Sequence, residues 1–377
     1  MATNSYRKID LRSATKEERI NFLQLKTGKK LTIGNGILNE QNTRGNIENL
    51  AGTLSVPIGI AGPVKIKGKK EHYLSLATTE GALVASVSRG CKAINLSGGA
   101  SVRILKKGQT RAPLFEVENE KACADFIKFL EKNKAKIILE GQKNSRFLKI
   151  NSFETIIHHG LIWLIITADT GDALGMNMIS LASENIGKYI QSSVKGVKYV
   201  CVSGNMCVDK KPSKRTLKYG RGRSLFATVT LPAAIVKDVL KSTPKEMEKL
   251  NLYKNYIGSS LSESLGFNAQ FANVIAALYL STGQDLGHVV EGSHGYTIMK
   301  ATKTGLEASV IIPAVQVATV GGGTKLPAQQ ECLNIMGAKN ADQLSEIVAC
   351  AVLAGEISLI AAHQTNTLVS AHLRLNR

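Results

Sequence analysis

The chain has 377 residues, 44% of them hydrophobic and 5% aromatic, with 34 glycines. That is enough apolar material for a large core in two or three domains, and too much for a disordered chain. The net charge of +19 asks for a polyanionic partner, nucleic acid or phosphorylated small molecules, but the basic residues are scattered and no helix-turn-helix, zinc-finger or RNP-like motif accompanies them.

The six cysteines, Cys91, Cys123, Cys201, Cys207, Cys332 and Cys350, form no Cys-x-x-Cys pair and follow no signal peptide. They are expected as reduced thiols in a cytoplasmic protein. No apolar run reaches the roughly 20 residues of a membrane helix. The best, Ile347 to Ala362, is interrupted by Glu356, so no membrane span is expected.

In chain order, residues 1–44 are polar, and Thr15-x-x-Glu18 predicts a capping box opening a helix through Leu25. Val56 to Pro63 is dense in glycine and proline and predicts a rigid extended loop. Thr78 to Ser86 predicts a helix start, with Glu80 in the first turn, a run to Ile94 and a break over Asn95–Gly99. Ser86, Arg89 and Lys92 then fall near one helix face. Arg111 follows in a turn before an apolar strand. Residues 113–202 predict strand, helix, two strands, helix and strand, a βαββαβ order of the ferredoxin-like kind. Its second helix opens on Gly171-Asp172-Ala173-Leu174-Gly175-Met176-Asn177, an anion site of the helix-N-terminus type without the G-x-G-x-x-G of a Rossmann fold. Ser145-Arg146 at a strand start offers a grip on an extra phosphate.

The loop Ser203-Gly204-Asn205-Met206-Cys207-Val208-Asp209-Lys210-Lys211 follows the last strand of that unit. Two adjacent lysines point in different directions, so one can face a buried site while the other faces solvent or an anion. Residues 212–377 return to a helical, small-residue texture, with Gly220-Arg221-Gly222-Arg223 as a basic turn. Phe267 to Leu280 predicts a buried helix bearing Asn268, Gln270 and Asn273, polar groups that are costly there unless paired. Asp285 lies beyond it in Gly283-Gln284-Asp285. Thr319-Val320-Gly321-Gly322-Gly323-Thr324 is a second anion-friendly loop. His372 lies near the end of the chain.

These motifs, in this order from about Glu48 onward, resemble class I 3-hydroxy-3-methylglutaryl-CoA (HMG-CoA) reductases of the soluble archaeal type. The resemblance implies an α+β protein: an N-terminal helical segment (1–44) and a large substrate domain (45–112 and 203–377) with a mobile C-terminal flap, interrupted by an inserted NADP-binding domain (113–202). It implies four-electron reduction of HMG-CoA to mevalonate with NADPH in isoprenoid biosynthesis, without a metal, by a homodimer or homotetramer with shared active sites. Glu80, Lys210, Asp285 and His372 are then the catalytic residues, with Asp285 between Glu80 and Lys210. Arg111, Ser203 and Lys211 face the acyl part of the substrate, and Asn273 and Gln270 are further substrate-binding residues. Ser86, Arg89, Lys92 and Lys241 face CoA. Ser145, Arg146, Asp172, Gly175, Met176 and Asn177 face NADP. Gln270 stands where many members carry histidine, and the chain stops where eukaryotic members continue into a regulatory phosphoserine. The competing readings are a basic nucleic-acid-binding protein without catalytic activity and a bare CoA-binding protein.

Overall fold

A computed structural model of the chain describes residues 13–31, 38–43 and 45–365. Helix α1 (Lys16–Thr27) opens as its sequence dictates. The Glu18 N–H donates to Thr15 Oγ1 at 3.2 Å and the Thr15 N–H donates to Glu18 Oε2 at 2.7 Å, so two orphan donors of the helix start are satisfied reciprocally. After α2 (Glu40–Thr43), the stretch expected as an extended loop becomes a strand. β1 (Ile58–Lys65) pairs antiparallel with β2 (Glu71–Ala77), and α3 (Leu83–Leu96) packs against β1.

β3 (Ser101–Arg111) joins the two halves of the molecule. Arg111 is its last residue, not part of a turn. Beyond it come β4 (Leu114–Val117), α4 (Glu120–Lys132), α5 (Lys134–Gln142), β5 (Lys149–His158), β6 (Leu161–Asp169), α6 (Met176–Ser193) and β7 (Val197–Cys201). Their strands lie in the order β7-β4-β6-β5, each neighbour antiparallel. Phe115, Phe126, Ile162, Leu164, Ile166, Ile179 and Ile186 fill the core between this sheet and its helices.

The rest of the chain holds more strand than its texture suggested. After the short α7 (Lys214–Tyr219), β8 (Gly222–Pro232) buries Leu225, Ala227, Val229 and Leu231 in strict alternation, the period of a strand with one buried face. Then follow α8 (Ala233–Leu240), α9 (Pro244–Leu250), a π-helical stretch (Asn251–Gly258), α10 (Ser259–Leu261), β9 (Gly266–Phe267), α11 (Phe271–Ser281), α12 (Val289–Gly292), β10 (Gly295–Ala301), β11 (Gly305–Val315), α13 (Pro327–Met336) and α14 (Ala341–Gln364). β3 pairs with β8 over Ser101–Gly108 and with β6 over Gln109–Arg111. One nine-stranded sheet therefore runs through both units.

α14 is the axis of the larger core. It spans 24 residues and is long and apolar enough to cross a membrane by length and composition, yet 89% of its most apolar window is buried inside the protein. Glu356, which interrupts the apolar run, is enclosed too: its carboxylate accepts from the Ala269 N–H at 2.8 Å, the Gln270 N–H at 2.6 Å and Thr297 Oγ1 at 2.6 Å. Burial nonetheless pushes that carboxyl above its usual range. α3 crosses α14 backbone to backbone, because a Cβ on Gly90 would stand 1.9 Å from the Ala354 carbonyl oxygen. Gly90→Ala is expected to destabilise the protein by about 3 kcal/mol, the upper end of ordinary overpacking. The check is the midpoint of urea unfolding; an unchanged midpoint contradicts the contact.

Candidate active site

The lysine loop leaves β7 in a costly conformation. Asn205, Val208 and Lys210 take φ values of 65°, 50° and 54°, left-handed backbone that non-glycine residues seldom adopt and that is a genuine outlier for a β-branched side chain. Each such residue costs about 1–3 kcal/mol and persists only where its surroundings over-determine it. Here they do. Trp163 Nε1 donates to the Gly204 carbonyl at 2.8 Å, the Gly204 N–H to the Ala112 carbonyl at 2.7 Å, and Thr110 Oγ1 to the Cys207 carbonyl at 3.1 Å.

This conformation brings Lys210 to Asp285, with Nζ 2.6 Å from Oδ2. Asp285 sits on a turn clamped from behind, since a Cβ on Gly283 would stand 2.3 Å from the Gly323 carbonyl oxygen. A Cβ on Gly287 would stand 2.6 Å from Lys210 Cδ, so the glycine leaves the channel the lysine stem occupies. Burial raises the Asp285 carboxyl, but the Lys210 hydrogen bond, the His288 ring and the Gly287 N–H outweigh it and hold Asp285 below the usual carboxylate range. The sign follows: a depressed carboxylate contributes its pairing above its ordinary range and loses it only as the pH falls through the depressed value. Gly287→Val is expected to push Lys210 off this pair and lower kcat about 100-fold, read in steady-state turnover against an unchanged circular dichroism spectrum. Parental kcat contradicts it.

Beneath the pair lies a charged network that the motifs did not announce. Arg221, fully buried, sets Nη1 2.9 Å from Glu291 Oε1 and Nη2 3.0 Å from Asp209 Oδ1, and its Nε donates to Thr110 Oγ1 at 3.1 Å. Glu291 Oε1 also accepts from the Lys210 backbone N–H at 3.4 Å and from Gln316 Nε2, and lies 2.8 Å from His288 Nδ1. Asp209, His288 and Glu291 bring ligand atoms within 4.8 Å of one another. The Arg221 guanidinium is the cation between the two carboxylates, and a metal is not needed to balance them.

A groove of about 970 Å³ opens above. Lys210, Asp285, Arg111, the start of α6 and the Gly321–Gly323 loop line it, with Leu38, Ile47 and Leu54 as a further wall. The two glycine loops lie side by side: Ala173 bridges Val320, and the Thr319 N–H donates to the Asp172 carbonyl at 2.9 Å. α6 begins at Met176, later than expected, after Gly175 at φ 79° with no side-chain cap.

A family model described as hydroxymethylglutaryl-coenzyme A reductase matches residues 15–377. The chain belongs to that family. The match reaches back past the stretch that carries the sequence resemblance. Relatives named 3-hydroxy-3-methylglutaryl-coenzyme A reductase from Pyrococcus horikoshii and Methanocaldococcus jannaschii are 42% and 43% identical, over 98% and 96% of this chain and 92% of each relative. 3-hydroxy-3-methylglutaryl-coenzyme A reductase 2 of Gossypium hirsutum is 40% identical over 86% of this chain and 54% of its own length. Among solved structures, the class II reductase of Streptococcus pneumoniae bound to NADPH in open conformations matches with a TM-score of 0.70 at 17% identity, covering 96% of this chain and 100% of that one. That likeness concerns the fold, a mixed helix-and-sheet architecture.

Within this reductase-family chain the expected site residues fall into separate places. Glu80 is exposed and lies before α3 rather than in its first turn. Asn273 Nδ2 donates to its Oε1 at 3.1 Å. Asn273 belongs to the first turn of α11, whereas Asp285 follows its other end, roughly 12 Å along the axis. Asp285 pairs with Lys210, and neither Glu80 nor Asn273 is among the residues that line the groove over that pair. His372 lies outside the described residues.

Arg111 and Ser203 converge on the buried Cys207 thiol, with Arg111 Nη1 at 4.0 Å and Ser203 Oγ at 3.3 Å. Arg111 is also held by Asp209 Oδ2 at 3.2 Å and Ser180 Oγ at 2.9 Å. Lys211 is exposed. Gln270 turns inward, its Nε2 donating to the Gly355 carbonyl at 2.6 Å, and so ties α11 to α14. Ser86 is also tied to α14, through Ser358 Oγ at 3.0 Å. Arg89 donates to the same residue, and with Lys92 and Lys241 it edges a second groove of about 720 Å³. Asp172 Oδ1 accepts from the Ala341 N–H at 2.9 Å, which caps α14 instead of facing the groove. Ser145 Oγ reaches Met178 Sδ at 3.3 Å, and Arg146, in the loop before β5, lies over the Phe147 ring at 4.8 Å.

Glu291, His288, Gln316 and the wall supplied by residues 38–54 belong to none of the motifs visible in the sequence. Arg221 stood in view only as part of a basic turn. The available signal was a glutamate and a histidine three residues apart directly after Asp285.

Proposed function

We propose that this chain reduces HMG-CoA to mevalonate and CoA in the mevalonate route to isoprenoids, using two NADPH. The observation that carries the reading is Lys210 Nζ, held 2.6 Å from Asp285 Oδ2 by a strained loop at the floor of a large groove. NADPH, when bound, supplies the hydride of each reduction. The uncapped α6 start with Gly175, Met176 and Asn177, faced by the second glycine loop, suits its pyrophosphate, and Ser145 and Arg146 flank that helix for the 2′-phosphate. The 113–202 unit is a ferredoxin-like NADP domain in this reading, supported by its 4-1-3-2 antiparallel order.

Lys210 stabilises the oxyanion that forms as the thioester becomes a hemithioacetal, an effect of roughly 3–4 kcal/mol for one well-placed donor. Arg111, Ser203 and Lys211 orient the hydroxyl and carboxylate of the acyl group. Arg89, Lys92 and Lys241 hold CoA phosphates, and His372 protonates the departing thiolate. Glu80 delivers the proton of the second reduction. The absence of Glu80 and Asn273 from the lining of the groove at Lys210 supports a homo-oligomer in which Glu80 and Asn273 of one copy complete the site of another. Exposed Ile58, Ile60 and Tyr73 on the β1–β2 ribbon offer that copy an apolar face. The six unpaired cysteines suit the cytoplasm.

Lys92→Ala combined with Lys241→Ala is expected to raise KM for HMG-CoA about tenfold with kcat within about twofold, the mark of lost uniform binding. Unchanged KM removes the CoA assignment. A folded chain that oxidises neither NADPH nor NADH, yet binds RNA or DNA with steep salt dependence, would replace this reading with the nucleic-acid one.

A further inference from the structure

His288 is fully buried, and both of its ring nitrogens face carboxylates. Nδ1 lies 2.8 Å from Glu291 Oε1 and 3.8 Å from Asp209 Oδ1. Nε2 lies 3.7 Å from Asp285 Oδ2 and has no hydrogen-bond partner among the described residues. Asp285 Oδ2 is also the atom that Lys210 Nζ contacts at 2.6 Å. A ring protonated on one nitrogen only would aim the bare lone pair of the other at a carboxylate. A ring that donates from both nitrogens satisfies both sides. The other charged groups around it are Arg221, behind Glu291 and Asp209, and Lys210, beyond Asp285.

We propose that His288 is a positioning residue for the reduction, donating to Glu291 through Nδ1 and to Asp285 through Nε2, and that it holds Asp285 in place when Lys210 leaves that carboxylate for the substrate oxygen. This rests on the reading of Lys210 and Asp285 as catalytic. The gap of 3.7 Å belongs to the state in which Lys210 still occupies Asp285. It closes to a hydrogen bond once Asp285 Oδ2 is released. The Glu291 end stays fixed throughout, because Arg221 and Gln316 hold that carboxylate from below. His288 thus lets Lys210 move without leaving Asp285 unpartnered.

The test is steady-state kinetics across pH for His288→Leu and His288→Gln in the full chain. His288→Leu is expected to lower kcat about 10–100-fold, the cost of a misplaced group, with both KM values within about twofold. His288→Gln keeps one donor and should recover part of the loss. In both variants the acid limb of kcat should move up by about one pH unit, because Asp285 loses a neighbouring cation. Parental kcat and an unmoved acid limb, beside an inactive Lys210→Ala, overturn the role of His288 alone. Parental kcat in Lys210→Ala removes the underlying reading instead. If His288→Leu does not fold, ¹⁵N spectra of the unaltered protein decide. Protons on both ring nitrogens, with a far-downfield Nδ1 proton bonded to a carboxylate, support the role; a single-nitrogen tautomer overturns it.

Discussion

Lys210→Ala is expected to lower kcat about 10²–10³-fold or more, the range for loss of one preorganised oxyanion donor, with KM for both substrates changing little. The reason lies in where the structure places its strain. Three non-glycine residues of one short loop sit at positive φ, and the loop is fastened at Gly204 and Cys207 so that Lys210 projects over Gly287 to Asp285. A solvated basic turn would have no reason to hold valine in left-handed backbone. Lys211→Ala, by contrast, removes an exposed neighbour and is expected to act on KM for the substrate. Steady-state kinetics on the two variants separate them; equal kcat losses would mean that the loop does not discriminate between its two lysines.

The second large effect is on stability. Glu291→Ala leaves Arg221 buried without one of its two carboxylates, and breaking a buried pair by removing one partner costs about 3–5 kcal/mol. It also releases Gln316, which in turn accepts from Gln109 Nε2 at 2.7 Å, so the loss spreads from α12 to β3. The double variant Arg221→Met/Glu291→Leu should regain most of the lost stability, since apolar replacement of a whole buried pair is often neutral. It should not regain kcat, because the Lys210 backbone N–H has lost its acceptor. Thermal or denaturant midpoints together with kcat give both readings. A Glu291→Ala midpoint equal to the parent's contradicts the network.

What the sequence showed was local and periodic. The Thr15–Glu18 capping box and the burial of the alanine-rich α11 follow from short-range rules, and the structure holds both, whereas residues 113–202 keep the expected strands but add a second helix, α5, before β5. The capping residue decides one helix start and the alternation of Ile162, Leu164 and Ile166 decides a strand, without reference to the rest of the chain. β8, β10 and β11 were hidden because their many small and polar residues, such as Ala227, Thr228 and Ser309, look like helix-packing texture until a partner strand is known. The continuity of β3 through both units depends on pairings with β6 and β8, more than fifty residues away in sequence, which periodicity does not encode.

The site divides in the same way. Lys210 and Asp285 were marked by the resemblance, through the lysine loop and the Gly283-Gln284-Asp285 turn that help carry it. Arg221 and Glu291 were not, because what marks them is each other, and they are 70 residues apart. Gln270, Ser86 and Asp172 were assigned to ligands by the resemblance, whereas their side chains tie α11, α3 and the small unit to α14. A polar residue near a groove serves the ligand only if its hydrogen-bonding atoms are not already engaged behind it.

The most direct test of the central claim is to count NADPH consumed and mevalonate formed by the purified chain given HMG-CoA. Two NADPH per mevalonate and one CoA thiol released are expected, all lost together in Lys210→Ala. A folded chain that consumes no NADPH, or that forms mevalonate equally well without Lys210, would contradict that claim.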